Sequence, residues 1–171
     1  MTKSSTSQTA TDIAGTAPDQ AKQRVANSLV NMAAFGFVCT FPEKLHVTEV
    51  SIGKNTEEPA KTEARVVCEV VVEEEMLNAL RVMHGGCLAF FIDICGTLPS
   101  TALLGHSGVS LNISVSYHAP AKVGDKLKII STTLSNGARV TSTRGEIWNV
   151  TTKRLVASGV HTMMEQSVPR L

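Results

Sequence analysis

The chain has 171 residues, one domain's worth by length, and is 43% hydrophobic and 18% charged. That is enough apolar material for a core and too much for a disordered chain. Lys plus Arg number 16 against 15 Asp plus Glu, a net charge of +1, which excludes the basic excess of a nucleic-acid binder; no run of 18 uncharged apolar residues is found, so no membrane span is expected.

Residues 1–18 are rich in Ser, Thr and Ala and lack an apolar period, so a disordered tail is expected ahead of a domain of residues 19–171. Lys3 is the tail's one basic residue, where a mitochondrial presequence needs several arginines, and a secretory layout is absent. Pro18-Asp19 opens a segment in which Val25, Leu29, Met32 and Phe35 fall at helical spacing, with Gly36 as the stop. Strands are expected over 45–52 and 64–72. In the second, Ala64, Val66, Cys68, Val70 and Val72 form a purely apolar face, and the loop 53–61 between them has turn composition. Residues 87–104 form the most apolar stretch, and its length favours a helix. Alternation returns over 109–117, 126–134, 140–150 and 155–163. The order is helix, two strands, central helix, four strands: an α+β layout in which one antiparallel sheet packs on one apolar helix.

Cys39, Cys68, Cys87 and Cys95 are far apart, with no C-x-x-C or H-x-x-H pair, so no metal site is expected. Their apolar neighbours suggest buried thiols in a reducing compartment. The ending Pro169-Arg170-Leu171 resembles a peroxisomal tripeptide without its usual serine. A cytoplasmic location is expected, with mitochondrion and peroxisome as the alternatives.

The central helix carries one carboxylate, Asp93. On a helical wheel Leu88, Phe91, Ile92 and Cys95 form the sheet-facing stripe, and Ala89, Asp93, Gly96 and Ser100 a second, small-residue face around the acid. A carboxylate on so apolar a helix is costly to bury without a partner or a use. Pro99 is expected to kink or end the helix near 95–98. His84-Gly85-Gly86 precedes the helix, where free N–H groups carry partial positive charge and can receive a carbonyl oxygen. Asp93 is eight residues after Gly85, roughly 12 Å along a helix. One small reacting group cannot meet both within a single chain. Either one of them is not catalytic, or the acid comes from the helix of a second subunit.

The motifs Asn78-Ala-Leu-Arg-Val-Met-His84-Gly-Gly86, Asp93, Gly108-Val-Ser110 and Tyr117-His-Ala-Pro-Ala-Lys122-Val-Gly124-Asp125 occur in order. In them residues 40–164 resemble the hotdog-fold acyl-CoA thioesterases, closest to the phenylacetate-pathway enzyme and its eukaryotic relatives. The resemblance implies a curved antiparallel sheet around a central helix, and a homodimer or a homotetramer built as a dimer of dimers. It implies that Asn78 and the Gly85 N–H polarise the thioester carbonyl, that Asp93 of the partner's helix activates water or attacks directly, that Ser110 positions the water, and that His84 orients the site. It also implies coenzyme A contacts from Tyr117, Pro120, Ala121 and Lys122 and from Asn136, Gly137, Ala138 and Arg139. No metal or other cofactor is implied.

Cys87 beside His84 suggests a nucleophile, but a thiol among apolar neighbours reads as core. His46, His106, His118 and His161 are isolated in sequence and read as structural or surface residues. The other readings are an acyl-CoA hydratase, whose Asp with a His five positions later is missing, and a non-catalytic acyl-CoA-binding module. At 4% aromatic, a pocket stacked with rings is not expected; Phe90, Phe91 and Met83 are the candidates to line an acyl tunnel.

Overall fold

The computed structural model describes residues 8–34 and 41–165. Helix α1 (Asp19–Ala34) is followed by strands β1 (His46–Lys54) and β2 (Thr62–Val71), the central helix α2 (Gly85–Leu104), and strands β3 (Val109–Tyr117), β4 (Lys126–Asn136), β5 (Val140–Asn149) and β6 (Arg154–Met164). Every element expected from periodicity is present. Phe35, Gly36, Cys39 and the C-terminal tripeptide lie outside the described residues.

The six strands form one antiparallel sheet in the order β1-β2-β4-β5-β6-β3. Helix α2 packs on β2, β4, β5 and β6. Leu88, Phe91, Ile92 and Cys95 are buried as the wheel requires, Phe91 and Ile92 completely, and each large apolar side chain so placed contributes about 1.5–3 kcal/mol. Gly145 on β5 faces Gly159 on β6. A Cβ on either would meet Ile92 at 2.9 or 3.0 Å, so the absence of two side chains makes the seat for α2.

The expectation that Pro99 ends α2 is corrected. Pro99 neither ends nor interrupts it: the helix runs to Leu104 and stops at Gly105, which has φ 83°. Pro99 denies the Cys95 carbonyl its usual donor, but the buried position and the hydroxyls of Thr97 and Thr101, bonded to Ile94 and Thr97 carbonyls, sit within an otherwise continuous helix. By length and composition α2 is also apolar enough to cross a bilayer, yet 67% of its apolar window is buried inside the fold. Its apolarity is that of a core helix.

The tail expectation is corrected for residues 8–17. They lie along the free edge of β1, with Ile13 and Ala17 buried. The Gln8 side-chain amide pairs with both the N–H and the carbonyl of Val47, Ala14 bonds Thr48 and Val50, and the Ala17 N–H reaches the Val50 carbonyl. Isolated apolar residues in a polar segment leave no period, but each finds a slot against the strand. One edge of the sheet is thereby covered. Among the described residues the other edge, β3, is open, and it exposes Val109, Leu111, Ile113 and Tyr117.

Candidate active site

The groups singled out in the sequence fall into two clusters, two helical turns apart on α2. The first surrounds its N-terminus. His84 is the N-cap, and its Nδ1 accepts the Gly86 N–H at 2.8 Å, which puts the proton of the neutral ring on Nε2. The His84 carbonyl takes the N–H groups of Cys87 and Leu88. The Gly85 N–H is left in the first turn without an acceptor among the described residues. A side chain at Gly85 would make only ordinary contact with the Tyr117 ring, at 3.4–3.5 Å, so space within one protomer does not demand glycine there. The Tyr117 hydroxyl donates to the Gly85 carbonyl at 3.1 Å.

Asn78 lies in a tight loop whose Arg81 has φ 62°. Its backbone bonds Val82 and Arg81, and its Oδ1 accepts the N–H groups of Leu80 at 2.9 Å and Val82 at 3.4 Å. Those bonds fix the amide and leave its NH2 without an acceptor among the described residues. Ala121 is buried, and its carbonyl receives the Met83 N–H, so this residue braces the loop. Lys122 and Pro120 are exposed beside it. Glu73, Glu74 and Glu75 are engaged by Lys44 and Arg81.

The second cluster is centred on Asp93, whose side chain is 35% exposed in the protomer. Asp93 Oδ1 lies 3.4 Å from Ser110 Oγ and 3.3 Å from His161 Nε2, and the latter two are 2.9 Å apart. His161 joins this cluster, although sequence reading took it as a structural or surface residue. It is 1% exposed and sits on β6 between Ile113 of β3 and Thr143 of β5. Gly96 makes its room, since a Cβ there would lie 3.1 Å from Nδ1. The small-residue face of α2 thus admits an imidazole. Among the described residues its Nδ1 has no hydrogen-bond partner, so the proton belongs on Nε2, facing Asp93 and Ser110. A bulge in β3 between Ser110 and Asn112 supplies the local rotation that turns Ser110 towards the acid.

Burial holds the His161 pKa below its ordinary value, against the pull of Asp93. A histidine kept neutral by the fold is stabilising above its unfolded pKa, and that stability is lost as pH falls, because the unfolded chain binds the proton more tightly. The melting temperature is therefore expected to drop between about pH 7 and pH 5, above the carboxylate range, and to drop less in His161→Gln; thermal melts across that window check it.

Cys87 does not supply a nucleophile: burial pushes its thiol up to about 12. Cys68, Cys87 and Cys95 are buried free thiols. No cluster of metal-binding side chains occurs among the described residues. His106 lies 3.8 Å from Glu165, and His118 bonds Ser158.

Two cavities flank these clusters. One of about 540 Å³ is lined by Gly86, Ala89, Phe90, Asp93, Ile113, Val115 and Tyr117. Phe91 and Met83, expected on such a wall, are core residues instead. The other, of about 270 Å³, lies at the far end of α2, where Asn136, Gly137, Ala138 and Arg139 close on Ser100 and Gly108. Within one protomer the segments 117–122 and 136–139 are therefore at opposite ends of the central helix.

A single long helix seated on a six-stranded antiparallel sheet, with an open N-terminus and an acid on its exposed face, defines a hotdog-type α+β protein. Residues 80–156 match the thioesterase superfamily. Human acyl-coenzyme A thioesterase 13 is 37% identical over 102 residues, 57% of this chain and 71% of that protein. The structure of zebra fish thioesterase superfamily member 2 aligns with a TM-score of 0.69 at 26% identity, covering 82% of this chain and 94% of that one. A hypothetical thioesterase protein of Streptococcus pneumoniae, solved with coenzyme A, aligns at 0.62 and 25% identity over 73% and 88% of the two chains. The chain belongs to the hotdog-fold thioesterase superfamily.

Proposed function

We propose that the chain is an acyl-CoA thioesterase whose active site is completed by a second copy of itself. The observation that carries this reading is the division of the polar groups along α2, with donors at Gly85 and Asn78 and an acid with its partners two turns away, beside one open sheet edge. Strands β3 of two copies, pairing antiparallel about a two-fold axis, bring the Tyr117 end of one against the Val109 end of the other. The same operation brings the helix N-terminus of one protomer towards Asp93, Ser110 and His161 of its partner. It also brings residues 117–122 towards the partner's 136–139, a cleft for the coenzyme A nucleotide that neither protomer has alone. The covered β1 edge and the apolar, uncovered β3 edge support this choice of surface.

In the proposed reaction the substrate carbonyl accepts from Asn78 Nδ2 and the Gly85 N–H. Asp93 removes a proton from a water held by Ser110. Neutral His161 donates to this pair and keeps the carboxylate oriented. The water oxygen bonds to the carbonyl carbon, the C–S bond breaks, and the proton passes to the departing thiolate, giving free acid and coenzyme A. His84 caps the helix through Nδ1, so that Gly85 is left as the donor.

Subunit mixing tests the shared site. Asp93→Asn and Asn78→Ala homodimers are each expected to be nearly inactive. After random exchange, half of the dimers are hybrids with one intact site of two, so about a quarter of wild-type thiol release returns. A fully active monomer in sedimentation, or no recovery once hybrids have formed, overturns the reading.

A further inference from the structure

Among the described residues, the cavity beside Asp93 has Asp93 as the one charged group on its wall; the remainder is Ala89, Phe90, Ile113, Val115, Tyr117 and the Gly86 backbone. Whatever extends beyond the reacting atoms there is apolar. Phe90 precedes Asp93 by three residues on α2, so the two side chains are neighbours on one face, with Cβ atoms about 5–6 Å apart. A carbonyl carbon within reach of a water on Asp93 places the first carbons of its acyl chain against the Phe90 ring. That ring is not free to yield. Its centroid lies 6.1 Å from Phe41, edge to face, and 6.2 Å from Phe91, and Phe41 and Phe91 are themselves 6.2 Å apart. Phe91 is fully buried, and Phe41 stands on the turn before β1, anchored by Pro42 in the core. Among the described residues Phe90 and Tyr117 are the aromatic side chains on the cavity wall, and Phe41 and Phe91 stand behind Phe90.

We propose that Phe90, braced by Phe41 and Phe91, is the residue that sets acyl-group size, and that it restricts this chain to acyl-CoA substrates with short or compact acyl groups. The proposal rests on the thioesterase reading and deepens it. A ring held from two sides gives a hard wall, and packed rings resist the off-rotamer shift that a longer chain would demand. Removing the wall lengthens the cavity without touching Asp93, Ser110 or His161.

The test is a series of straight-chain acyl-CoAs, from acetyl to palmitoyl, with wild type, Phe90→Ala, Phe90→Leu and Phe41→Leu. Wild-type kcat/KM is expected to peak at short chains and to fall about 10-fold or more beyond the wall. Phe90→Ala moves the peak to longer chains, with about a 10-fold gain for the long substrates relative to the short ones. Phe90→Leu and Phe41→Leu move it the same way by less. Binding of the matching non-hydrolysable thioether series, followed by calorimetry, is expected to show the same shift in Kd. Coincident chain-length profiles for folded Phe90→Ala and wild type, or a wild-type peak at palmitoyl, overturn the proposal. Wild type that binds the thioethers but releases no thiol overturns the thioesterase reading alone, with the wall still judged by Kd. Wild type that neither binds nor hydrolyses overturns both.

Discussion

Asp93→Asn is expected to lower kcat on the order of 10²-fold or more, the range for loss of a general base, with KM little changed. The asparagine keeps the shape and an Oδ1 to accept from Ser110 and His161, and it loses only the ability to take a proton. The substrate is held by groups elsewhere, so ground-state affinity is spared. Asp93 is 35% exposed in the protomer, so relief of desolvation is not expected to raise the melting temperature much. Single-turnover thiol release and a thermal melt on the same sample check both halves. Near-normal kcat would remove Asp93 from the chemistry and leave its contacts with Ser110 and His161 as structural.

Asn78→Asp is expected to be the more informative of the two. Asp keeps an oxygen where Asn78 Oδ1 accepts the Leu80 and Val82 N–H groups, so the loop and the melting temperature are preserved. It replaces the NH2 with a negative oxygen facing the developing oxyanion. Loss of one such donor costs about 3 kcal/mol of transition-state stabilisation, more than 10²-fold in kcat, and the added charge deepens the loss. Asn78→Ala removes the donor and the loop acceptor together. It is therefore expected to lower kcat and also to lower stability by about 1 kcal/mol, the scale of a hydrogen bond in a partly exposed loop. Melts and kcat on the two variants separate the roles: a purely structural Asn78 predicts that Asp retains turnover and Ala loses only stability.

The candidate site was legible in sequence where its geometry is local. Asp93 stands out as the one charge on an apolar helix, and His84-Gly85-Gly86 is adjacent to the helix start in the chain itself, so the capped N-terminus with an unused Gly85 N–H follows from short-range geometry. The incompatibility of Gly85 and Asp93 within one chain followed from helix rise alone. His161 was not legible. It is 51 residues from Ser110 on a strand where alternation tells only that it faces one side. Its partnership with Asp93 depends on β3 pairing with β6 and on the gap left by Gly96. The Phe41–Phe90 contact was hidden in the same way, because the two rings lie far apart in the chain.

The sequence by itself determined which segments are helix and which are strand, the sheet-facing stripe of α2 and the position of its acid, because side-chain periodicity and capping act over one or two turns of chain. Only the tertiary structure decided that β3 leaves its sequence neighbours to lie at the sheet edge beside β6, that residues 8–17 cover the opposite edge, and that α2 passes through Pro99 unbroken. Strand pairing is made by backbone groups common to all residues, so order and register are chosen by the packing of the whole sheet on α2, a long-range sum that no local pattern carries.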